Sequence, residues 1–191
     1  MTEFEKMINN LPYNGLDKEL VEKRQKAKEK IFEINQINPK KKEKRNKLLK
    51  SLLNIQDNNF WIESPFFCDY GENISIGKNF YSNFHCTMLD GAKITIKDNV
   101  LFGPNVSLYT PNHPYNIIDR NNGIEVAKPI TIGNNVWIGG SVTIVGGVEI
   151  GDNTVIAAGS VVVKDIPSGV LAAGTPCKVI RKLDEQDLKR I

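Results

Sequence analysis

No run of apolar residues in this 191-residue chain approaches the roughly 18 needed to span a membrane, and Met1 to Asn10 is polar, without the apolar stretch of a signal peptide. The chain therefore reads as cytoplasmic, with no membrane partner. Histidine is scarce, at two residues, and Cys68, Cys86 and Cys177 are odd in number and not spaced as ligands. Zinc is not expected, nor any other metal, and a reducing compartment fits. A large charge of one sign is lacking too: 25 Lys+Arg against 22 Asp+Glu leave a net +3. The hydrophobic fraction of 40% and charged fraction of 25% exclude wholesale disorder and fibrous repeats.

What charge imbalance exists sits in residues 1–58, which hold 14 Lys+Arg against 9 Asp+Glu. Its densest part, Lys40-Lys41-Lys42-Glu43-Lys44-Arg45, is interleaved with Glu and followed by Leu48, Leu49, Leu52 and Leu53. That pattern is a solvated helix face over an apolar one, so no nucleic-acid partner is expected. Asp17 precedes a stretch, Lys18 to Ile34, in which Leu20, Ala27, Ile31 and Ile34 share a face. Asn38-Pro39 breaks it, and a second helix is expected from about Pro39 to Leu53. Residues 1–58 thus form an expected pair of antiparallel helices.

After Asn59 the composition shifts to Ile, Val, Gly and Asn, and a six-residue repeat emerges. From Ile132 the hexads open on Ile132, Ile138, Ile144, Ile150, Ile156 and Val162, and the fifth position is Val136, Val142, Val148, Thr154 or Ser160. A single strand of that length is far outside the usual range, so the chain must turn regularly. Flat sides of about six residues, with the aliphatic residue inward and Gly, Asn or Asp at the corners, satisfy the pattern; three sides close a triangle, and stacked coils bury the aliphatic column. The expected architecture is a mainly β parallel β-helix. Weaker hexads begin at Ile76, Ile96 and Phe102, and residues 109–131, with Pro111, Pro114, Asn121-Asn122-Gly123 and Pro129, read as a protruding loop. The coil is expected over 59–183, followed by a tail at 184–191.

These hexads, together with Thr110-Pro-Asn-His-Pro, Pro129-Ile-Thr-Ile-Gly-Asn-Asn-Val-Trp-Ile-Gly and Ala173-Gly-Thr-Pro-Cys-Lys-Val-Ile-Arg, resemble the hexapeptide-repeat acetyltransferases, in particular the maltose/galactoside O-acetyltransferase branch. The resemblance covers nearly the whole chain. It implies a left-handed coil, a homotrimer with active sites between subunits, and acetyl-CoA as donor. Handedness rests on the resemblance alone, since crossovers in ordinary sheets take the opposite hand.

O-acetylation from a thioester needs a base for the alcohol proton, donors for the oxyanion and a groove for a long donor molecule. By its residue type and loop position His113 suits the base, because an unperturbed imidazole, titrating near about 6.5, is substantially neutral at cellular pH; the resemblance assigns it that role. His85, in a coil-like stretch, reads as a packed or solvated residue. Asn83 is by itself a corner residue; the resemblance makes it, with the Gly140 N–H, a stabiliser of the tetrahedral intermediate. Asp69 and Asp90 match positions lining the sugar site, where carboxylates accept hydrogen bonds from hydroxyls. Glu125 matches a glutamate of the maltose-type branch that orients the base or the acceptor. Asn14 departs from the branch, which usually carries an aspartate there, and this leaves the sugar open.

For the donor, the resemblance places Trp137 near the thioester arm, Ala158 and Gly159 beneath the pantetheine chain, Lys164, Lys178 and Arg181 opposite the phosphates, and Thr175 at the start of the segment that returns over the site. Lys178 stands where arginine is frequent, which keeps the charge and loses the bidentate fork. Cys177 reads as packing. The expected reaction is direct transfer from acetyl-CoA to a sugar hydroxyl without an acyl-enzyme. Two other functions share the fold: acetylation of an amine, amino-sugar or serine, and a non-catalytic trimeric scaffold.

Overall fold

The computed structural model describes residues 1–187. The hexads fold as their spacing requires. Ile132 lies beside Ile150, Ile138 beside Ile156 and Ile144 beside Val162 in parallel register, so one turn takes 18 residues, or three hexads. Three stacks of parallel strands form the sides. One runs from Asn54–Ile55 through Ile74–Ile76, Ile94–Ile96 and Ile130–Ile132 to Glu149–Ile150. A second runs from Phe60–Ile62 through Phe80–Ser82, Leu101–Phe102, Trp137–Ile138 and Val155–Ile156 to Val170–Ala173, which Lys178–Lys182 joins antiparallel. The third holds Phe66–Cys68, Cys86–Leu89, Ser107–Tyr109, Thr143–Val145 and Val161–Val162. The result is a left-handed parallel β-helix of about six turns. Its first strand begins at Asn54, within the segment read as helical from sequence.

Both the first and the fifth hexad positions point inward, which explains why the fifth is always small or β-branched. Val136, Val142 and Val148 are buried between the aliphatic columns, and the polar exceptions are satisfied. Thr154 Oγ1 donates to Pro167 O at 3.0 Å, and Ser160 Oγ to Ala157 O at 2.7 Å. The corners are left-handed: Asn79, Asn99, Asn135 and Asn153 have φ of +55° to +58°. Asparagine tolerates that region because its short amide can bond locally. Here the amides bond to one another, and Asn59, Asn79, Asn99, Asn135 and Asn153 form a ladder with links of 2.9–3.1 Å up one edge. The glycine that follows the inward residue serves close approach of turns; a Cβ on Gly139 would stand 2.5 Å from Ala158 N.

The N-terminal segment holds three helices where two were expected. α1 (Glu3–Ile8) carries a complete capping box, Thr2 with Glu5. α2 (Lys18–Gln36) is capped by Asp17 as its sequence suggested, and α3 (Lys42–Leu52) starts three residues after Pro39. Ala27, Ile31, Ile34, Leu49 and Leu52 join Phe60, Ile62 and Phe66 in one core, so α2 and α3 cover the open first turn of the coil. Arg45 is buried with them, 4.5 Å from the Trp61 ring centroid.

The hexad break is an ordered hairpin rather than a plain loop. Pro111–Asn112 pairs antiparallel with Ile124–Ala127, and α4 (Ile117–Asn121), capped by Asn116, forms the tip. Tyr13–Asn14 adds a third strand, with Tyr13 opposite Glu125. Strands of two residues carry no periodic signal, which is why the sequence pattern shows only a break.

Candidate active site

The three-stranded sheet brings His113 to the wall of a cleft of about 310 Å³, lined by Tyr13, Arg24, Asp69, Tyr70, Leu89, Gly91, Pro111, His113 and Glu125. His113 follows directly on the Pro111–Asn112 strand, is exposed, and has its backbone N–H held by Asn112 Oδ1 at 2.8 Å. Two carboxylates share the lining. Glu125 Oε2 accepts from Tyr13 Oη at 2.7 Å. Asp69 is half-buried, and that burial raises its carboxyl above the usual range despite the opposing pull of Arg24. Arg24, reaching down from α2, donates to Tyr70 Oη at 2.7 Å and to Gly15 O at 2.6 Å. The cleft is thus rich in hydroxyls and carboxylate acceptors, with one imidazole open to solvent.

Asp90 requires a correction. Expected to line the sugar site, it is fully buried and turned inward, and its carboxylate accepts from the backbone N–H groups of Asp69 at 3.0 Å, Tyr70 at 2.8 Å and Asn73 at 3.3 Å. It shapes the turn that presents Asp69. Asn14 ends the edge strand, and its Oδ1 accepts from Leu16 N at 2.9 Å in the turn that follows.

A second cleft, of about 420 Å³, lies on the outer face of the second stack. Trp137, 55% exposed, stands on its floor with Val155 and Leu171, and Arg181, Leu183 and Asp187 form a wall. The structure therefore brings together Trp137 and Arg181. Arg181 is held by Asp187 in a fork of 2.5 and 2.6 Å. Nearby in the fold, Gly159 has open space where a Cβ would be, and Thr175 Oγ1 donates to its carbonyl at 3.3 Å. Ala158, Lys164 and Lys178 are exposed. Gly140 N–H has no acceptor among the described residues. Asn83 Oδ1 accepts from Phe84 N at 2.8 Å in a corner, and neither Asn83 nor Gly140 lines the His113 cleft of the same chain. His85 is exposed in a left-handed corner at φ +61°. Cys68, Cys86 and Cys177 are buried free thiols; burial raises all three, Cys86 to about 12. No group of three or more His, Cys, Asp or Glu is placed to hold a metal among the described residues.

Residues 6–54 match the maltose acetyltransferase hexapeptide capping motif, and residues 129–164 match six repeats of the bacterial transferase hexapeptide. The galactoside O-acetyltransferase of Escherichia coli K12 is 50% identical over 88% of this chain and 83% of its own length. The chain belongs to the hexapeptide-repeat acetyltransferases. Among solved structures of this family, a maltose O-acetyltransferase from Clostridium difficile superposes with a TM-score of 0.95 at 46% identity, over 97% of this chain and 99% of that one. A galactoside acetyltransferase in complex with coenzyme A also gives 0.95, at 45% identity, over 100% of this chain and 95% of that one.

Of the six cleft residues that sequence reasoning missed, Tyr13, Arg24 and Tyr70 carry polar side chains, and Leu89, Gly91 and Pro111 complete the lining. Tyr13 and Tyr70 are buried, and with Arg24 they lie outside the hexads, on segments that meet only through folding. The Leu11-Pro-Tyr stretch was the one signal available, an aromatic residue set beside a proline ahead of the helix.

Proposed function

We propose that this acetyltransferase moves an acetyl group from acetyl-CoA to a hydroxyl of a sugar such as maltose, glucose or a galactoside, in a ternary complex. The observation that carries this is His113 sharing the lining of one cleft of about 310 Å³ with two carboxylates and two tyrosines, in a chain half identical to a galactoside O-acetyltransferase. The alcohol proton passes to the His113 imidazole as the oxygen bonds to the thioester carbonyl carbon. The tetrahedral oxyanion then collapses, the C–S bond breaks, and the imidazolium returns the proton to the departing thiolate. Asn83 and the unpaired Gly140 N–H are the oxyanion donors in this scheme.

Because those two donors lie away from His113 of their own chain, the site needs a neighbour. A homotrimer with sites between subunits supplies it, and the exposed Phe84, Leu101 and Trp137 on the coil, with Ile117 and Ile118 on the hairpin tip, suit such contacts. Trp137, Ala158 and Gly159 then receive the pantetheine arm, Thr175 closes over it, and Lys164, Lys178 and Arg181 meet the phosphates. The three unpaired cysteines suit the cytoplasm.

The test is acetyl-CoA turnover with maltose, glucose, galactosides, serine and amino-sugars, together with light scattering for the trimer. His113→Ala should lower kcat by roughly 10²–10⁴, with donor binding retained. A preference for amines, or full activity in His113→Ala, overturns the proposal.

A further inference from the structure

Tyr13 comes from the N-terminal segment, not from the coil, yet it is 1% exposed and its Oη donates to Glu125 Oε2 at 2.7 Å. The two residues stand opposite each other in an antiparallel pair. Two glycines make room for the contact. A Cβ on Gly15 would stand 2.6 Å from Glu125 Oε1, and one on Gly91 3.0 Å from Tyr13 Oη. Two segments distant in sequence therefore converge on one carboxylate, whose side chain would otherwise sample several rotamers on an excursion from the coil.

We propose that Tyr13 is a positioning residue for the acceptor, acting through Glu125. Its hydroxyl occupies Oε2 and leaves Oε1 to accept from an acceptor hydroxyl neighbouring the one that reacts. The substrate class this selects is a polyol with adjacent hydroxyls, and the N-terminal segment is then part of the acceptor site as well as a cover for the first turn. Burial raises the Tyr13 phenol far above its ordinary range, so it remains a donor throughout the working pH. The proposal rests on the His113 cleft being the acceptor site.

Tyr13→Phe removes only the hydroxyl. Steady-state kinetics with maltose and a galactoside should show the acceptor KM rising by roughly tenfold, the magnitude of one lost charge-assisted hydrogen bond, with the KM for acetyl-CoA unchanged. In a Glu125→Ala background the same substitution should add nothing, because the group it acts through is gone. An unchanged acceptor KM in Tyr13→Phe while Glu125→Ala raises it overturns the Tyr13 role alone. A further loss in the Glu125→Ala background shows a structural effect and overturns it equally. If Glu125→Ala leaves the acceptor kinetics intact, the acceptor-site assignment fails and the Tyr13 role with it.

A different observation concerns the Trp137 cleft. Leu183 N donates to Gly169 O at 2.8 Å and its side chain lines the cleft, which brings Asp187 over Arg181. Asp187 grips Arg181 with both oxygens, and its Oδ2 also accepts from Asp184 N at 2.8 Å. We infer that Asp187 occupies the place of a donor phosphate and competes with it, so that CoA binding exchanges a carboxylate for a phosphate on Arg181. This rests on Arg181 belonging to the donor site. Calorimetry with CoA and with acetyl-pantetheine, which lacks the nucleotide phosphates, separates the possibilities. Asp187→Asn should tighten CoA by roughly threefold, since an exposed pair contributes little, and leave acetyl-pantetheine unchanged. An unchanged or weakened CoA affinity, with Arg181→Ala weakening it, overturns the competition. An Arg181→Ala variant that binds CoA normally overturns the donor-site assignment as well.

Discussion

Replacing Asp90 with Asn removes a charge that folding has to bury. Burial pushes the Asp90 carboxyl up to about 6 from 3.8, against the lowering effect of the Tyr70 N–H and with a further push from the Asp69 carboxylate. Between those two values the folded chain holds a proton that the unfolded chain has released, so stability contributed by this group rises as pH falls through 6 and levels off below 3.8. Linkage over that gap gives roughly 3 kcal/mol of destabilisation at pH 7.5 and about 1.6 kcal/mol at pH 5. Urea unfolding of the wild type and of Asp90→Asn, at one protein concentration and at both pH values, measures it. The titrations of distant groups cancel in the comparison. On moving from pH 7.5 to pH 5 the wild type should gain about 1.4 kcal/mol relative to Asp90→Asn. A difference that does not change with pH, or one that moves in favour of Asn at pH 5, refutes the reasoning. It would mean that the three backbone donors outweigh desolvation and that Asp90 stays charged.

Trp137→Ala should raise the KM for acetyl-CoA severalfold and leave the acceptor KM alone, in steady-state assays that vary each substrate, since the exposed indole lines the cleft proposed for the donor and not the one proposed for the acceptor. Gly139→Ala sets a Cβ 2.5 Å from Ala158 N and 2.9 Å from its Cα, both backbone, so adjacent turns must separate; a loss of about 1–3 kcal/mol in chemical denaturation is expected. Asn99→Ala breaks two links of the amide ladder and leaves a Cβ residue at φ +58°, with an expected loss of about 1–2 kcal/mol, while Asn99→Gly, free of the backbone penalty, should lose less.

The coil was legible because its physics is periodic. An inward residue every sixth position, a left-handed corner that asparagine tolerates and a close approach that glycine permits all leave marks in the sequence at fixed spacing, and Ile132, Asn135 and Gly139 each occupy the place their type suggests. Asp90 shows how the same rule was there to be used. Cys86, Met88 and Asp90 alternate inward along one strand and its continuation, so parity alone puts the carboxylate inside, where the family resemblance had suggested a sugar ligand. α1 was marked as well, by Thr2 and Glu5, but six residues are too few for a hydrophobic period.

The clefts follow a different logic. A strict stack of equal turns has flat sides and offers no concave surface, so a pocket must form where the repeat is interrupted. The His113 cleft lies where the hairpin leaves the coil after Thr110, and it is finished by Tyr13 and Arg24 from the helical segment. The Trp137 cleft lies where the last parallel strand turns back into Lys178–Lys182 and the chain folds over its own side. In both places residues distant in sequence meet without any period to announce them, and local rules yield to site geometry. The breaks in the repeat therefore mark where concave surface forms: the hexads say where the scaffold is, and Pro111 and Pro129 bracket the segment that carries His113 and Glu125.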